Sequence, residues 1–581
     1  MRWGGGVRRA RGTTGAGSSR DVKRSRRRGT GQFLTAGLRV NTPTARRPPG
    51  RNGRKKTVRQ APGASGVLPK RLGVRIFRQV DERPGPKARK ERRLAPVDRR
   101  AVLGAALAGG AGVAAARLLG IRRVVEVEPE QLTKQAVATR SGLDWVSPLG
   151  DEAVRVAHLL RRTSFGYSPA ELEAALTDGY QRAVDRLIET PPMEPPTFPA
   201  AENASQTNGL NAGQLQQWWL DWAIKSPTPF AEVMTLFWHG HFTSDYRKVG
   251  LQSPYLYWQD LTWRRFFLRD LRSILYEVTV DPAMLRYLDL SQSTGQNPNE
   301  NYARELMELY TMGSGAFAED DVKAASRGLA GWREPRTQAM VDAQIEQSIK
   351  QNGAPPKVLP TADKVKVGIF ERNRAYNGPD LTFLGERRRW DTNAILDRVV
   401  EQDVVAPFIT RKVLSHFVSP DVEDATVARL ADRFRRSRHD MRTLMHDVLT
   451  SPEFTSPKAY RSLVRSPLDF MIATAKALNN PELARTMPQQ GDAMGQVMFD
   501  PPSVGGWPTN ASWISSNTML ARINFATQAV NMTRKVPASG DAHAQYLDST
   551  LSPQTLELLN AVNDDRRRWM VVLCCAEFQL K

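Results

Sequence analysis

Glu305 and Glu308 are the side chains of this 581-residue chain whose spacing is best suited to chemistry. They sit in Asn299-Glu300-Asn301-Tyr302-Ala303-Arg304-Glu305-Leu306-Met307-Glu308-Leu309-Tyr310, which reads as a helix. At about 100° per residue, Asn301, Arg304, Glu305 and Glu308 share one side. Tyr302, Leu306, Leu309 and Tyr310 share the other. Carboxylates at i and i+3 can meet at one metal ion in a helical protein. His239 and His241 are two of only seven histidines. On a helix they point about 200° apart; in an extended segment they share a side, and Gly240 permits such a break. With Asp245, or with Glu305 and Glu308, they could form a site for a divalent metal such as zinc or manganese. Asn301 and Arg304 would complete a catalytic face.

Each reading has a structural alternative. One histidine packs in the core and the other caps a helix end. The polar side is an ordinary solvated face, with Arg304 pairing a neighbouring acid for about 0.3 kcal/mol. In a third reading, preferred to catalysis, Arg304 and the two glutamates form a buried ion-pair network joining helices, which adds specificity more surely than stability. Trp507 and Trp513, in and after Pro501-Pro502-Ser503-Val504-Gly505-Gly506-Trp507-Pro508, could stack on sugar rings; the preferred alternative is a turn anchored by two buried tryptophans. A Gly-x-Ser-x-Gly elbow, a phosphate loop and a dinucleotide fingerprint are missing in a matching strand–helix context, which lowers the expectation of serine hydrolase, NTPase or NAD chemistry.

The elements that must position these residues are helices. From Asp151 onward the apolar period is mostly helical. Ser168-Pro169-Ala170-Glu171 carries an N-cap, an N1 proline and an N3 glutamate. Further helices are expected around Trp218, Trp219 and Trp222, over Phe230–Trp238, Leu261–Val278, Pro282–Leu288 and Glu319–Trp332. Others follow over 391–401, 404–417, 424–434, 441–449, 467–478 and 517–532, with 487–517 rich in loops. Residues 333–390 are the least regular and hold at most one small hairpin or a long loop. The expected fold is mainly α, a large multi-helix domain of roughly 15 to 20 helices with few or no strands. Val448-Leu449-Thr450-Ser451-Pro452-Glu453-Phe454 echoes Val572-Leu573-Cys574-Cys575-Ala576-Glu577-Phe578, so the two cysteines fall at packing positions of a reused helix end.

The formal charge of +23 is local: residues 1–98 carry 28 basic and 5 acidic residues, and the rest of the chain carries 55 of each. The basic pI therefore says nothing of nucleic-acid binding by the folded part. Residues 1–98 read as a basic disordered arm, or as sequence ahead of a later translation start. Residues 99–120 read as an export signal. Arg99-Arg100 precedes an Ala/Gly-rich apolar run of about 20 residues, weak for a membrane span, with Ala114-Ala115-Ala116 as a cleavage site. This resembles a twin-arginine signal and predicts a periplasmic, envelope or secreted protein that meets the membrane only through that segment. Residues 121–150 read as a linker, and 151–581 as the helical domain.

The Asn299–Leu309 pattern, Trp238-His239-Gly240-His241-Phe242, the Gly-Trp-Pro segment and the Ser-Pro-Glu-Phe motif together resemble a bacterial exported family, domain of unknown function 1800 (DUF1800), from about His158 to Lys581. The resemblance implies a helical fold, Tat-type export and a neighbouring exported partner that looks sulfatase-related; it leaves the chemistry open. Family members often carry a His-Asp pair before Thr-Phe-Leu-Gly. Here that stretch reads Ala375-Tyr376-Asn377-Gly378-Pro379-Asp380-Leu381-Thr382-Phe383-Leu384-Gly385, without the histidine, which implies a lost or altered activity if that residue is needed. The expected function is a non-catalytic binding or accessory protein of the cell envelope, serving the sulfatase-like partner or an envelope polymer. The alternative is a metal-dependent hydrolase built on His239, His241, Glu305 and Glu308.

Overall fold

Helix starts in this chain are written by short polar side chains. Ser168 accepts the Glu171 amide at 3.3 Å while Glu171 accepts the Ser168 amide at 2.6 Å, closing the box expected there. Asp151, Asn211, Asp391, Ser466 and Ser552 cap other helices in the same way. The computed structural model describes residues 148–581. The readings of residues 1–98, of the signal at 99–120 with Arg99 and Arg100, and of most of the 121–150 linker lie outside the described residues.

The fold is mainly α, as expected, with 23 α-helices and two small antiparallel strand pairs among the described residues. No helix among them is long and apolar enough to cross a membrane. One main core cluster runs from Val156 to Phe578. Its largest fully buried side chains include Trp219, Trp238, Trp263 and Trp569. Burying such large rings adds to the hydrophobic driving force of the aliphatic core around them. An ion network lies inside it. Arg264 bridges Glu232 at 2.8 and 2.9 Å and Asp260 at 2.7 Å, all three fully buried.

Four expectations are corrected. The apolar run expected over Leu261–Val278 is two helices, Tyr255–Phe266 and Leu271–Val280, because Asp270 caps the second by accepting the Ser273 amide at 2.8 Å. The helix begun at Pro229 does not break at Gly240 but continues to His241. Residues 338–352 form a 15-residue helix, capped by Thr337 and ended by Gly353 at φ +73°. The helix Met487–Met494 lies inside the span read as loop.

The irregular region also holds two strand pairs rather than one hairpin. Trp332–Arg333 pairs with Ile369–Phe370 and closes the base of an excursion that includes residues 338–370. Leu381–Phe383 pairs with Glu386–Arg388 across Leu384-Gly385, at φ +45° and +82°. Those signs give the primed turn that suits strand twist. Leu384 holds an unfavourable left-handed conformation; the Asp321 carboxylate accepts its amide at 2.7 Å, and Arg398 donates to its carbonyl.

Candidate functional site

The central helix spans Asn301–Met307 and then widens into a π-helical turn over Glu308–Met312. Such turns are rare overall and frequent at functional sites. Tyr302, Leu306, Met307 and Tyr310 are fully buried, as the apolar face requires, whereas Leu309 is only partly buried. Thr311 bonds back to the Leu306 carbonyl at 2.5 Å, and the Gly313 amide reaches the Met307 carbonyl at 3.2 Å. Gly313, at φ +82°, ends the helix, so carbonyls of the last turn have no amide ahead of them.

Those carbonyls explain His241. Its Nε2 lies 3.0 Å from the Tyr310 carbonyl and its Nδ1 3.0 Å from Lys412 Nζ. Lys412 also donates to the Leu309 carbonyl at 3.0 Å. An ammonium donates to Nδ1, so the hydrogen sits on Nε2 and faces Tyr310. Both ring nitrogens are thereby committed to the helix end. Burial, then the Lys412 charge, hold the imidazole well below its usual range. Burial brings Lys412 down to about 8. Replacing His241 by Leu, close in volume, strands the Tyr310 carbonyl and leaves the Lys412 ammonium with the Leu309 carbonyl alone. The expected loss is about 2 kcal/mol of stability by urea denaturation at pH 7.5.

His239 faces elsewhere. It is 1% exposed, packed 5.2 Å from the Trp507 ring and 5.5 Å from Phe499, and its Nε2 has no partner. Burial brings it down to about 3. Gly240, between the histidines, lies under Trp507, and Gly506 sits so close that a methyl on it would overlap the Gly240 carbonyl oxygen. The His-Gly-His and Gly-Gly-Trp-Pro segments thus form one contact. Trp507 is half-buried there; Trp513, 4% exposed, packs on Val464. With Trp513 enclosed, the pair does not present two open rings for sugar stacking.

The polar side of the central helix is solvated, which corrects the buried-network reading. Arg304, 37% exposed, pairs with Glu319 at 2.6 Å and only loosely with Glu300 at 3.7 Å. Asn301 donates to Asp289 at 3.1 Å, and Asp289 pairs with Lys248 at 2.9 Å. Glu308 accepts from Ser314 at 2.7 Å. Partial burial, then Glu308, push the Glu305 carboxyl up. Asp245 caps the turn Tyr246–Val249. Burial and the Asp245 and Glu305 carboxylates push the Tyr287 phenol up to about 12. The structure therefore brings Asp245, Tyr287 and Glu305 to one neighbourhood, while His239 packs on Trp507 and Phe499 and His241 is committed to the Tyr310 carbonyl and Lys412. No group of three or more His, Cys, Asp or Glu side chains among the described residues is arranged to hold a metal.

The segment in which the histidine is missing packs beside the entry to the central helix. The Gly295 amide donates to the Arg374 carbonyl at 2.8 Å, and a side chain on Gly295 would collide with Ala375 and Tyr376. The echoed helix ends are both anchors. Phe454 and Phe578 are buried, Glu453 accepts from Thr426 and Arg429, and Glu577 accepts from Ser552 and Thr555. Cys574 and Cys575 are free thiols beside the second anchor, pushed up by burial, Cys574 to about 12.

Residues 158–580 match the family described as "Protein of unknown function (DUF1800)". No curated protein and no solved structure matches the chain.

Proposed function

The chain belongs to the DUF1800 family, and we propose that it is an exported, non-catalytic accessory protein that docks a partner protein through the 338–370 excursion. One observation carries this reading. Of twelve large hydrophobic side chains exposed among the described residues, six lie within 22 residues: Ile349, Val358, Leu359, Val365, Val367 and Phe370. Val358 is 85% and Leu359 60% exposed. Exposed apolar side chains that adjoin one another mark interaction surfaces, whereas those scattered singly are ordinary surface; here the concentration is along the sequence.

The base of the excursion is preorganised. The strand pair closes it, and Arg333 ties Asp363 at 2.9 Å and Glu371 at 2.7 Å. Lys350, Lys357, Lys364 and Lys366 are interspersed with the apolar residues. The partner surface they suit is apolar with a carboxylate rim. The export reading of Arg99-Arg100 supports a site of action outside the cytoplasm, and the proposed partner is an exported sulfatase-like protein. The commitment of both His241 nitrogens to a helix end supports an accessory role over a catalytic one.

Titration of the purified chain with that partner tests the proposal. The double change Val358→Asp, Leu359→Asp is expected to weaken binding about 100-fold, two buried apolar contacts' worth. The change Glu305→Gln, Glu308→Gln is expected to leave binding unaltered. Absence of binding, or equal binding by the 358/359 variant, overturns the reading. The raised Glu305 carboxyl beside Glu308 is the one observation favouring the alternative, a metal-dependent hydrolase. That alternative requires a metal that co-purifies with the chain and is lost in Glu305→Ala, Glu308→Ala.

A further inference from the structure

Five of the nine residues from Pro191 to Pro199 are proline. The stretch joins the helix Tyr180–Glu189 to the short helix Pro199–Glu202 and has no helix or strand of its own. Its backbone is nonetheless set residue by residue. Each proline holds φ near about −65°. Thr190, Pro191, Glu194, Pro195 and Phe198 each precede a proline, which keeps them out of the helical region and pushes them to extended ψ. Only Met193 and Thr197 escape both constraints. Thr190, at φ −67° and ψ 120°, and Phe198, at φ −98° and ψ 94°, bound the stretch in extended backbone. The sequence therefore favours polyproline II, a left-handed helix of three residues per turn.

Burial follows that period. Pro195 is buried, and Pro192 and Phe198, three residues to either side, are partly buried. Pro191, Met193, Glu194, Pro196, Thr197 and Pro199 are exposed, Met193 by 50%. One ridge faces the protein and two face outward. The stretch is also tied down. The Met193 amide donates to the Thr228 hydroxyl at 3.1 Å and the Phe198 amide to the Tyr257 hydroxyl at 3.3 Å. The Trp218 indole donates to the Pro196 carbonyl at 2.8 Å, and Arg265 holds Glu194 at 2.7 Å. The carbonyls of residues 191–195 accept no backbone hydrogen bond among the described residues. The surface runs on into the excursion: Glu202 pairs with Lys366 at 3.4 Å, and Lys366 lies 5.4 Å over the ring of Trp258, the residue after Tyr257.

We propose that residues 190–197 are a preformed ligand for an aromatic-lined groove on the protein that docks against the excursion, an inference that rests on the docking reading above. Proline rings and the Met193 thioether pack well on aromatic faces. Tyrosine hydroxyls and tryptophan indoles lining such a groove can donate to the open carbonyls. A stiff, tied-down polyproline segment loses little conformational freedom on binding. The prolines rule out addition to the edge of a partner's sheet, because they have no amide to donate. Glu189, at the head of the stretch, is exposed and in no ion pair among the described residues, so the groove is completed by a cation at that end.

Titration of the full chain, carrying ¹³C-methyl methionine, with the sulfatase-like partner tests the inference. Met193 is one of sixteen methionines, and Met193→Leu identifies its signal. Ring currents in the groove are expected to move the Met193 methyl upfield in the complex. The double change Met193→Asp, Pro196→Asp alters only exposed side chains, should leave Tm unchanged, and is expected to weaken binding about tenfold. A Met193 methyl unmoved in the complex, or full affinity in the 193/196 variant while the 358/359 variant is weakened, overturns this inference and leaves the docking reading standing. Absence of binding by the unaltered chain overturns both.

Discussion

Between pH 7 and pH 4.5 the folded domain is expected to lose stability. His158, His239 and His241 are buried and held far below the normal imidazole range, in each case chiefly by desolvation. They stay neutral in the folded state while the unfolded chain takes up their protons below about pH 6.5. A base with a depressed folded pKa contributes stability above its unfolded pKa and loses it as pH falls. For His239, brought to about 3, the two pH units below 6.5 cost about 2.7 kcal/mol, and His158 and His241 add losses of the same sign.

Two buried carboxyls oppose this. Desolvation raises Asp260 to about 6 and Asp281 to about 7. Each holds a proton in the folded state that the unfolded chain has released, so each gains stability as pH falls through its folded pKa. Together they return roughly 5 kcal/mol by pH 4.5. His416, brought to about 3 by burial, adds to the loss. Urea midpoints at the two pH values check the loss, and His241→Leu should reduce it. A domain as stable at pH 4.5 as at pH 7 would mean that these imidazoles are not buried as described.

Gly506→Ala is expected to cost about 4 kcal/mol, or to prevent soluble expression. Two penalties combine. The backbone at φ +88° favours glycine, and the added methyl would overlap the Gly240 carbonyl. Neither neighbour yields easily. Gly240 is in the helix Pro229–His241, and the next residue, Trp507, packs on His239. Gly505→Ala is the control. Gly505 has no positive φ, and a Cβ there meets only the Ser503 hydroxyl, at 3.6 Å. Its cost should stay within about 0.5 kcal/mol. Equal losses in the two variants would remove the interpretation of Gly506 as a contact glycine.

Residue patterns revealed what local rules govern. The capping box at Ser168–Glu171 and the apolar face of Tyr302, Leu306 and Tyr310 were visible because each depends on neighbours within a turn or two. The polar face was visible too, but not its fate: Arg304 pairs with Glu319, fifteen residues on, and not with Glu305 or Glu308. The packing of His239-Gly240-His241 against Gly506-Trp507 joins segments some 265 residues apart, and no periodicity reports such a contact. The helix Gln338–Asn352 buries little beyond Val341 and Ala343, so it has no apolar stripe to announce it. Thr337 and Gly353 were the available signals. The buried Arg161 and Arg162 were the hardest to foresee, since two arginines at a helix end ordinarily read as solvated charge.

Hydrogen exchange on a complex with the proposed sulfatase-like partner tests most directly the proposal that the 338–370 excursion is the functional surface and the His-Gly-His and central-helix motifs are framework. Added protection is expected over residues 338–370 and none over 301–312 or 239–245. Protection centred on Asn301–Met312 with an unchanged excursion would contradict it and return the polar face of the central helix to the centre of the function.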